Sequence, residues 1–379
     1  MDDKSKKRKA NNDNDLEPPK KKIYYYGQDY TYNGIFNGYI DDYETEYKTE
    51  SDSETDSDDE KELVNIEKNI ETLSDLIELG KQYDKTKRYN FNMKILNEMI
   101  PSMNTINEMI GLTNIKDNLV DHIVYYLQSN DLNNGKDNTD YMHCIVTGPP
   151  GVGKTEFAKA LSKLFLAMKI LRNDKFKKVK RSDLIAKYLG QTSHRTKDLI
   201  ESCLGGVMFI DEVYSLGNAN SQDSYAKEAI DTLNEYLSEH KNDFICIVAG
   251  YKNDVERCFL DYNQGLRSRF PLRFHIEGYD YKELFKIFQQ KIELINWKLQ
   301  NTITEKYFYD KMDYLKYYGR DIENLITQIK RVHSRRVFTL NKNLKTVITK
   351  EDLDNGFNNF KKMKGNNETK NKLQDIMYI

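Results

Sequence analysis

Apolar positions fall into distinct regimes along the chain. Between Ile95 and Ile276, short apolar runs alternate with segments of helical period. The runs at 142–147, 176–180, 207–211, 244–249 and 273–276 predict strands, and their alternation with helices predicts a parallel sheet covered on both faces. After Gly278 the period is helical. Leu284, Phe285, Phe288, Ile292 and Ile295 mark one stripe of a helix over 281–297. Further helices are predicted over 322–332 and over 350–362, the latter carrying Leu353, Phe357 and Phe360. Upstream, Leu63, Ile66, Ile70, Leu73 and Ile77 recur at helical spacing and predict an amphipathic helix that serves packing or self-association.

Residues 1–62 read differently. They are rich in charge and tyrosine and poor in aliphatics, which predicts a stretch without a packed core. The fold class that follows is α/β, with a parallel sheet flanked by helices, a small α-helical second domain and a disordered N-terminal tail. The expected divisions are a charged tail (1–62), a helical linker (63–94), an α/β domain (95–277), a helical domain (278–365) and a C-terminal tail (366–379).

Charge sharpens this division. The 379 residues carry a formal net charge of −2. The tail holds 10 Lys/Arg against 18 Asp/Glu, a net of −8, leaving 48 against 42 in the remainder. That mildly basic remainder does not by itself call for nucleic acid. In the tail, Lys6-Lys7-Arg8-Lys9 and Lys20-Lys21-Lys22 resemble a bipartite nuclear import signal, the alternative being a solvated charged tail. No apolar leader and no membrane-length apolar run occurs, so neither secretion nor membrane insertion is expected. Cys144, Cys203, Cys246 and Cys258 lack ligand spacing, which predicts buried thiols in a reducing, intracellular compartment, cytoplasmic or nuclear.

Chemistry concentrates at Gly148-Pro149-Pro150-Gly151-Val152-Gly153-Lys154-Thr155. The run fits G-x-x-x-x-G-K-[ST] and lies between a predicted strand and a predicted helix, the context a phosphate-cradling loop requires. Backbone N–H groups at the helix start attract anions. Lys154 is assigned to the β- and γ-phosphates, and the Thr155 hydroxyl to Mg²⁺. Val207–Ile210 then runs into Asp211 and Glu212. Asp211 is expected to hold the metal, and Glu212 to orient and deprotonate an attacking water. Two acids after a strand are a weak signal alone, but become strong about sixty residues after such a loop. Together they favour nucleotide hydrolysis over transfer to another acceptor.

Gly265-Leu266-Arg267-Ser268-Arg269 places two arginines after the fourth strand. One of them could reach a phosphate bound by a neighbouring subunit; the alternative is a surface ion pair. Gly319-Arg320 opens a helix of the second domain and could close on the phosphates from that side.

With these residues in hand, the chain resembles the AAA+ ATPases, and within them the CbbX (CfxQ) and stage V sporulation protein K group. The likeness covers about Met99 to Lys362. It is carried by Ile110-Gly111-Leu112, Tyr188-Leu189-Gly190-Gln191-Thr192, Gly205-Gly206-Val207-Met208-Phe209-Ile210-Asp211-Glu212, Val248-Ala249-Gly250-Tyr251 and the Gly265 to Arg269 run. The resemblance implies a P-loop NTPase fold of AAA+ type, a three-layer α/β domain (95–277) with a five-stranded parallel sheet that binds nucleotide and a small α-helical lid domain (278–365). It implies ATP and Mg²⁺ as ligands, with Gly111, Leu112 and Glu156 joining the nucleotide-binding set. It implies a homo-oligomeric ring, commonly a hexamer, in which Arg269, ahead of Arg267, completes the neighbour's site. Arg320 matches the lid arginine. Tyr188 and Leu189 match a central pore loop that grips a polypeptide client, whereas the residues taken alone read as ordinary packing.

Two departures stand out. Tyr251 occupies a position where many AAA+ proteins carry Asn, although the related group also shows Ala-Gly-Tyr there, and Glu323 replaces a second arginine often found in the lid helix. The function expected is an ATP-driven ring motor that remodels a protein client of unidentified nature. The alternatives are an ATPase acting on nucleic acid, suggested by the basic stretches 175–181 and 330–336, and a nucleotide-switched scaffold.

Overall fold

The computed structural model describes residues 22–25, 28–31, 62–132, 140–188, 190–217, 223–341 and 345–377. The chain divides into two compact units, 1–56 and 57–379. In the first, Lys22–Tyr25 and Gln28–Thr31 pair as an antiparallel ladder, an element that the tail's charge and tyrosine content do not predict. The two basic clusters lie outside the described residues apart from Lys22.

The second unit begins with a departure from the apolar period. The single helix expected over 63–77 does not form. Leu63–Val64 pairs in parallel with Arg88–Tyr89, and the helix spans Leu73–Gly80 (α1). Thr72 explains the late start: its side chain accepts the Asp75 N–H while the Asp75 carboxylate accepts the Thr72 N–H, a reciprocal cap. Met93–Asn107 (α2) and Thr113–Leu132 (α3) follow. Leu73, Leu76, Leu96, Met99, Met103 and Ile106 are all buried, in one cluster with Phe157, Leu161 and Leu164. The helices ahead of the phosphate loop are therefore part of the α/β core.

Five strands form the central sheet: Cys144–Thr147 (β1), Phe176–Val179 (β2), Val207–Ile210 (β3), Ile245–Gly250 (β4) and Leu272–His275 (β5). All pair in parallel, in the order β2-β3-β4-β1-β5. Each lies within a residue or two of its expected position. The two-residue period sorts their side chains onto opposite faces. Cys144, Val146, Phe209, Ile247 and Phe274 join the cluster under α2 and Lys154–Ala167 (α4). Ile145, Met208, Ile210, Cys246 and Val248 join a second, under Thr192–Glu201 (α5) and Ser224–Glu239 (α6). Burial on both faces accounts for the near-continuous apolar runs.

Gln264–Arg269 (α7) leads into β5, after which the lid begins. Tyr281–Glu293 (α8) is capped by Asp280 and Glu283. Tyr318–Val337 (α9) starts four residues before the expected helix, and Lys350–Met377 (α10) runs through the stretch expected as a tail. Leu284, Phe288, Phe308, Leu325, Ile329, Leu353 and Phe360 form the separate lid core.

Candidate nucleotide site

The loops following β1, β3 and β4 leave the sheet at its carboxyl edge, beside the point where the strand order reverses. Open α/β sheets bind ligands there. A cleft of about 430 Å³ lies at that edge, within the usual range for small-molecule sites. Pro150–Glu156, Asp211, Glu212, Tyr251 and Arg320 all line it.

The phosphate loop owes its shape to glycine. Gly151 has φ 80° and Gly153 φ 90°, conformations that side chains strain to adopt. Gly153 is the N-cap of α4 and makes no side-chain cap, so the cap residue itself does not compete for the first N–H groups of that helix. Lys154 Nζ donates to the Gly148 carbonyl at 2.8 Å and to the Pro149 carbonyl at 2.9 Å, folding the lysine back under its own loop. It also lies 5.3 Å from the centre of the Tyr251 ring. Burial lowers the Lys154 pKa and the Arg320 charge acts in the same direction, while Asp211 and Glu212 oppose both. Two cations thus line one cleft, an arrangement that favours a bound anion.

Across the cleft, Asp211 Oδ1 accepts the Glu212 N–H at 3.1 Å, and Asp211 Oδ2 receives Lys178 Nζ at 2.7 Å. Lys178 comes from β2, where it is level with Phe209 in the ladder. Glu212 has φ 54°, the left-handed region, which costs a residue with a side chain about 1 kcal/mol or more. Its carboxylate is exposed at the cleft. Tyr214 and Tyr251 stack behind the acids with ring centres 5.4 Å apart. Burial, helped by the Glu212 charge, pushes the Tyr214 hydroxyl up to about 12, so it stays protonated. The donor set of Thr155 and Asp211 consists of hard oxygens on one cleft, which suits Mg²⁺.

The lid closes the third side. The Tyr279 hydroxyl donates to the Val152 carbonyl at 2.7 Å, and the Gly319 N–H donates to the Gly151 carbonyl at 2.9 Å. Arg320, in the first turn of α9, projects from there into the cleft lining. Glu323 receives Lys291 Nζ at 2.7 Å, and both residues line the cleft. The charge that departs from the family pattern is thereby paired within the lid.

Other expected site residues lie elsewhere. Gly148 and Pro149 border the cleft and serve Lys154 through their carbonyls. Gly111 and Leu112 have φ 70° and 62° and turn the chain, while the neighbouring Met109 and Ile110 do the lining. Lys116 fixes Met109 by donating to its carbonyl at 2.8 Å. Neither α7 arginine lines the chain's own cleft. Arg267 pairs with Glu256 and Asp261, and the half-buried Arg269 donates to the Gly265 carbonyl at 2.7 Å and to the Ser238 hydroxyl. Tyr188 is 68% exposed, and Leu189 lies outside the described residues. The basic stretches are partly spent inside the fold: Lys177 on Ser202, Lys178 on Asp211, Arg181 on Asp223 and Arg336 on Asp352. Among the described residues, no helix is long and apolar enough to cross a membrane.

Sequence reasoning assigned no role to Lys178, Tyr214, Tyr279 or Lys291. Tyr214 ends the run that carries Asp211 and Glu212, and the other three belong to no spaced motif. Only the β2/β3 register could have pointed to Lys178.

Comparison with known proteins agrees with this geometry. Residues 144–277 match the family described as ATPases associated with various cellular activities (AAA). A putative cfxQ-like protein of Acanthamoeba polyphaga mimivirus is 38% identical over 318 residues, covering 81% of this chain and 76% of its own length. A CfxQ homologue of Galdieria sulphuraria is 30% identical over 73% of this chain and 88% of its own. Stage V sporulation protein K of Bacillus subtilis is 34% identical over 56% of this chain and 68% of its own. With the phosphate loop, the paired acids and the lid on one cleft, and with these relatives matched across most of their length, the chain is an ATPase of the CbbX/CfxQ family of AAA proteins.

Proposed function

We propose that the cleft binds Mg²⁺–ATP and hydrolyses it to drive a ring motor that remodels a protein client. The observation that carries the reading is the meeting of Lys154, Thr155, Asp211, Glu212 and Arg320 on one cleft. Lys154 and the α4 N-terminus hold the phosphates, and Thr155 with Asp211 holds the metal, which neutralises charge on the transferring group. Glu212 takes the proton of a water whose oxygen bonds to the γ-phosphorus as the bond to ADP breaks. Arg320 balances charge from the lid side.

In this reading Arg269, or else Arg267, serves the cleft of a neighbouring subunit in a homo-oligomeric ring, commonly a hexamer. Their absence from the chain's own cleft supports such a role. The exposed ring of Tyr188 supports contact with an extended polypeptide, because an exposed tyrosine grips a chain without reading its side chains. The internal pairing of the basic stretches favours a protein client over nucleic acid.

The test is a trap. Glu212→Gln with ATP should assemble on size-exclusion chromatography and retain a client protein, and Tyr188→Ala in that background should release the client while preserving assembly. Retention unaffected by Tyr188→Ala would contradict threading. A monomer under all nucleotide conditions would contradict the ring.

A further inference from the structure

The C-terminal helix α10 reaches back to the nucleotide cleft through one ion pair. Lys364 Nζ lies 2.6 Å from Asp321 Oδ2 and also donates to the Tyr314 carbonyl at 2.5 Å. Asp321 is 1% exposed, and Lys364 is its one cationic partner among the described residues. The same Oδ2 accepts the Tyr317 N–H at 2.8 Å. The Lys364 ammonium completes its shell over the rings of Tyr317 and Phe360, at 5.3 and 5.1 Å from their centres.

These contacts fasten one turn. Tyr314 to Tyr318 leads into α9, and Tyr318 holds φ 44°, a conformation the surroundings must impose. The turn presses on the phosphate loop: a Cβ on Gly151 would stand 2.0 Å from the Tyr317 carbonyl oxygen, and the Gly319 N–H donates to the Gly151 carbonyl at 2.9 Å. Arg320 comes next and lines the cleft. Its own side chain makes no hydrogen bond or ion pair to the described residues, so its direction depends on the backbone that carries it.

We propose that Lys364 positions Arg320 over the bound phosphates by clamping Asp321 and the turn ahead of α9, so that α10 sets nucleotide affinity from outside the cleft. The proposal rests on the reading of Arg320 as a phosphate-facing residue. Lys364 is a positioning residue: it touches neither nucleotide nor metal.

A double-mutant cycle tests it, read as the affinity for a fluorescent ATP analogue with Mg²⁺ and needing no turnover. Lys364→Met and Arg320→Ala should each weaken binding about fivefold or more, the double variant should be no weaker than Arg320→Ala alone, and Lys364→Arg should bind like the wild type. A stranded buried carboxylate threatens folding, so thermal melting is measured first. If Lys364→Met has melted, Asp321→Asn/Lys364→Met, which leaves no unpaired buried charge, takes its place in the cycle. Wild-type affinity in the Lys364 variant beside a weakened Arg320→Ala overturns the clamp and leaves the site reading intact. Additive losses overturn it too, because Lys364 then acts without Arg320. Wild-type affinity in Arg320→Ala removes the phosphate-facing role of Arg320 and the clamp with it.

Discussion

Lys178 Nζ lies 2.7 Å from Asp211 Oδ2, so an ammonium occupies one oxygen of the carboxylate assigned to the metal. The pair is partly exposed, Lys178 at 44% and Asp211 at 24% of their side chains, and an ion pair in such surroundings contributes about 0.2–1 kcal/mol. In the proposed site the lysine would compete for an oxygen that the divalent ion takes. Lys178→Met should therefore lower the Mg²⁺ concentration that half-saturates hydrolysis by about two- to fivefold, as a magnesium titration of phosphate release would show. A raised requirement would mean that Lys178 serves to orient Asp211.

Gly151→Ala should damage the site through the lid. The residue holds φ 80°, and the added Cβ meets a backbone oxygen that no rotamer change can move aside. The left-handed conformation alone costs about 1–2 kcal/mol. The expected outcome is loss of nucleotide affinity by an order of magnitude or more, with a lowered melting temperature. Gly365→Ala is the control: it lies within α10 and a Cβ there meets nothing within 4 Å, so that variant should bind as the wild type does and melt no lower.

His143 makes stability depend on pH. It is fully buried ahead of β1, its Nδ1 accepts the Cys246 N–H at 3.1 Å, and its Nε2 faces the Leu237 carbonyl at 3.2 Å. Burial lowers its pKa to about 4, the Leu237 carbonyl opposes this, and Arg269 adds to the lowering. The ordinary value is about 6.5, so between the two the unfolded chain binds a proton that the folded chain excludes. The contribution is whole above pH 6.5 and is lost as pH falls toward 4, about 3 kcal/mol in all. Thermal melts from pH 7 to pH 4.5 should show a steeper decline for the wild type than for His143→Gln. Parallel declines would remove His143 as the cause.

Most of the nucleotide site was legible because its chemistry is local. A phosphate loop needs glycines, a lysine and a hydroxyl at fixed spacing, and the apolar strands on either side declare where it sits. Asp211 and Glu212 were legible because they end such a strand. What stayed hidden depends on contacts between distant segments. The helix expected from Leu63 starts only at Leu73, because the Thr72–Asp75 cap fixes the start; Ile66 and Ile70 pack against the core from non-helical chain, and Leu63 stays exposed. Lys178 was read as part of a basic stretch, since its partner is set by strand register. Lys364 was invisible for the same reason, lying 43 residues from Asp321.

Phosphate release by the purified protein, measured beside retention of labelled ATP, tests the central claim most directly when wild type is compared with Glu212→Gln. If Glu212 is the base at this cleft, the wild type hydrolyses ATP, and the variant keeps ATP bound while its turnover falls by about a hundredfold or more. Near-normal turnover in the variant, with ATP bound equally well, would contradict the account.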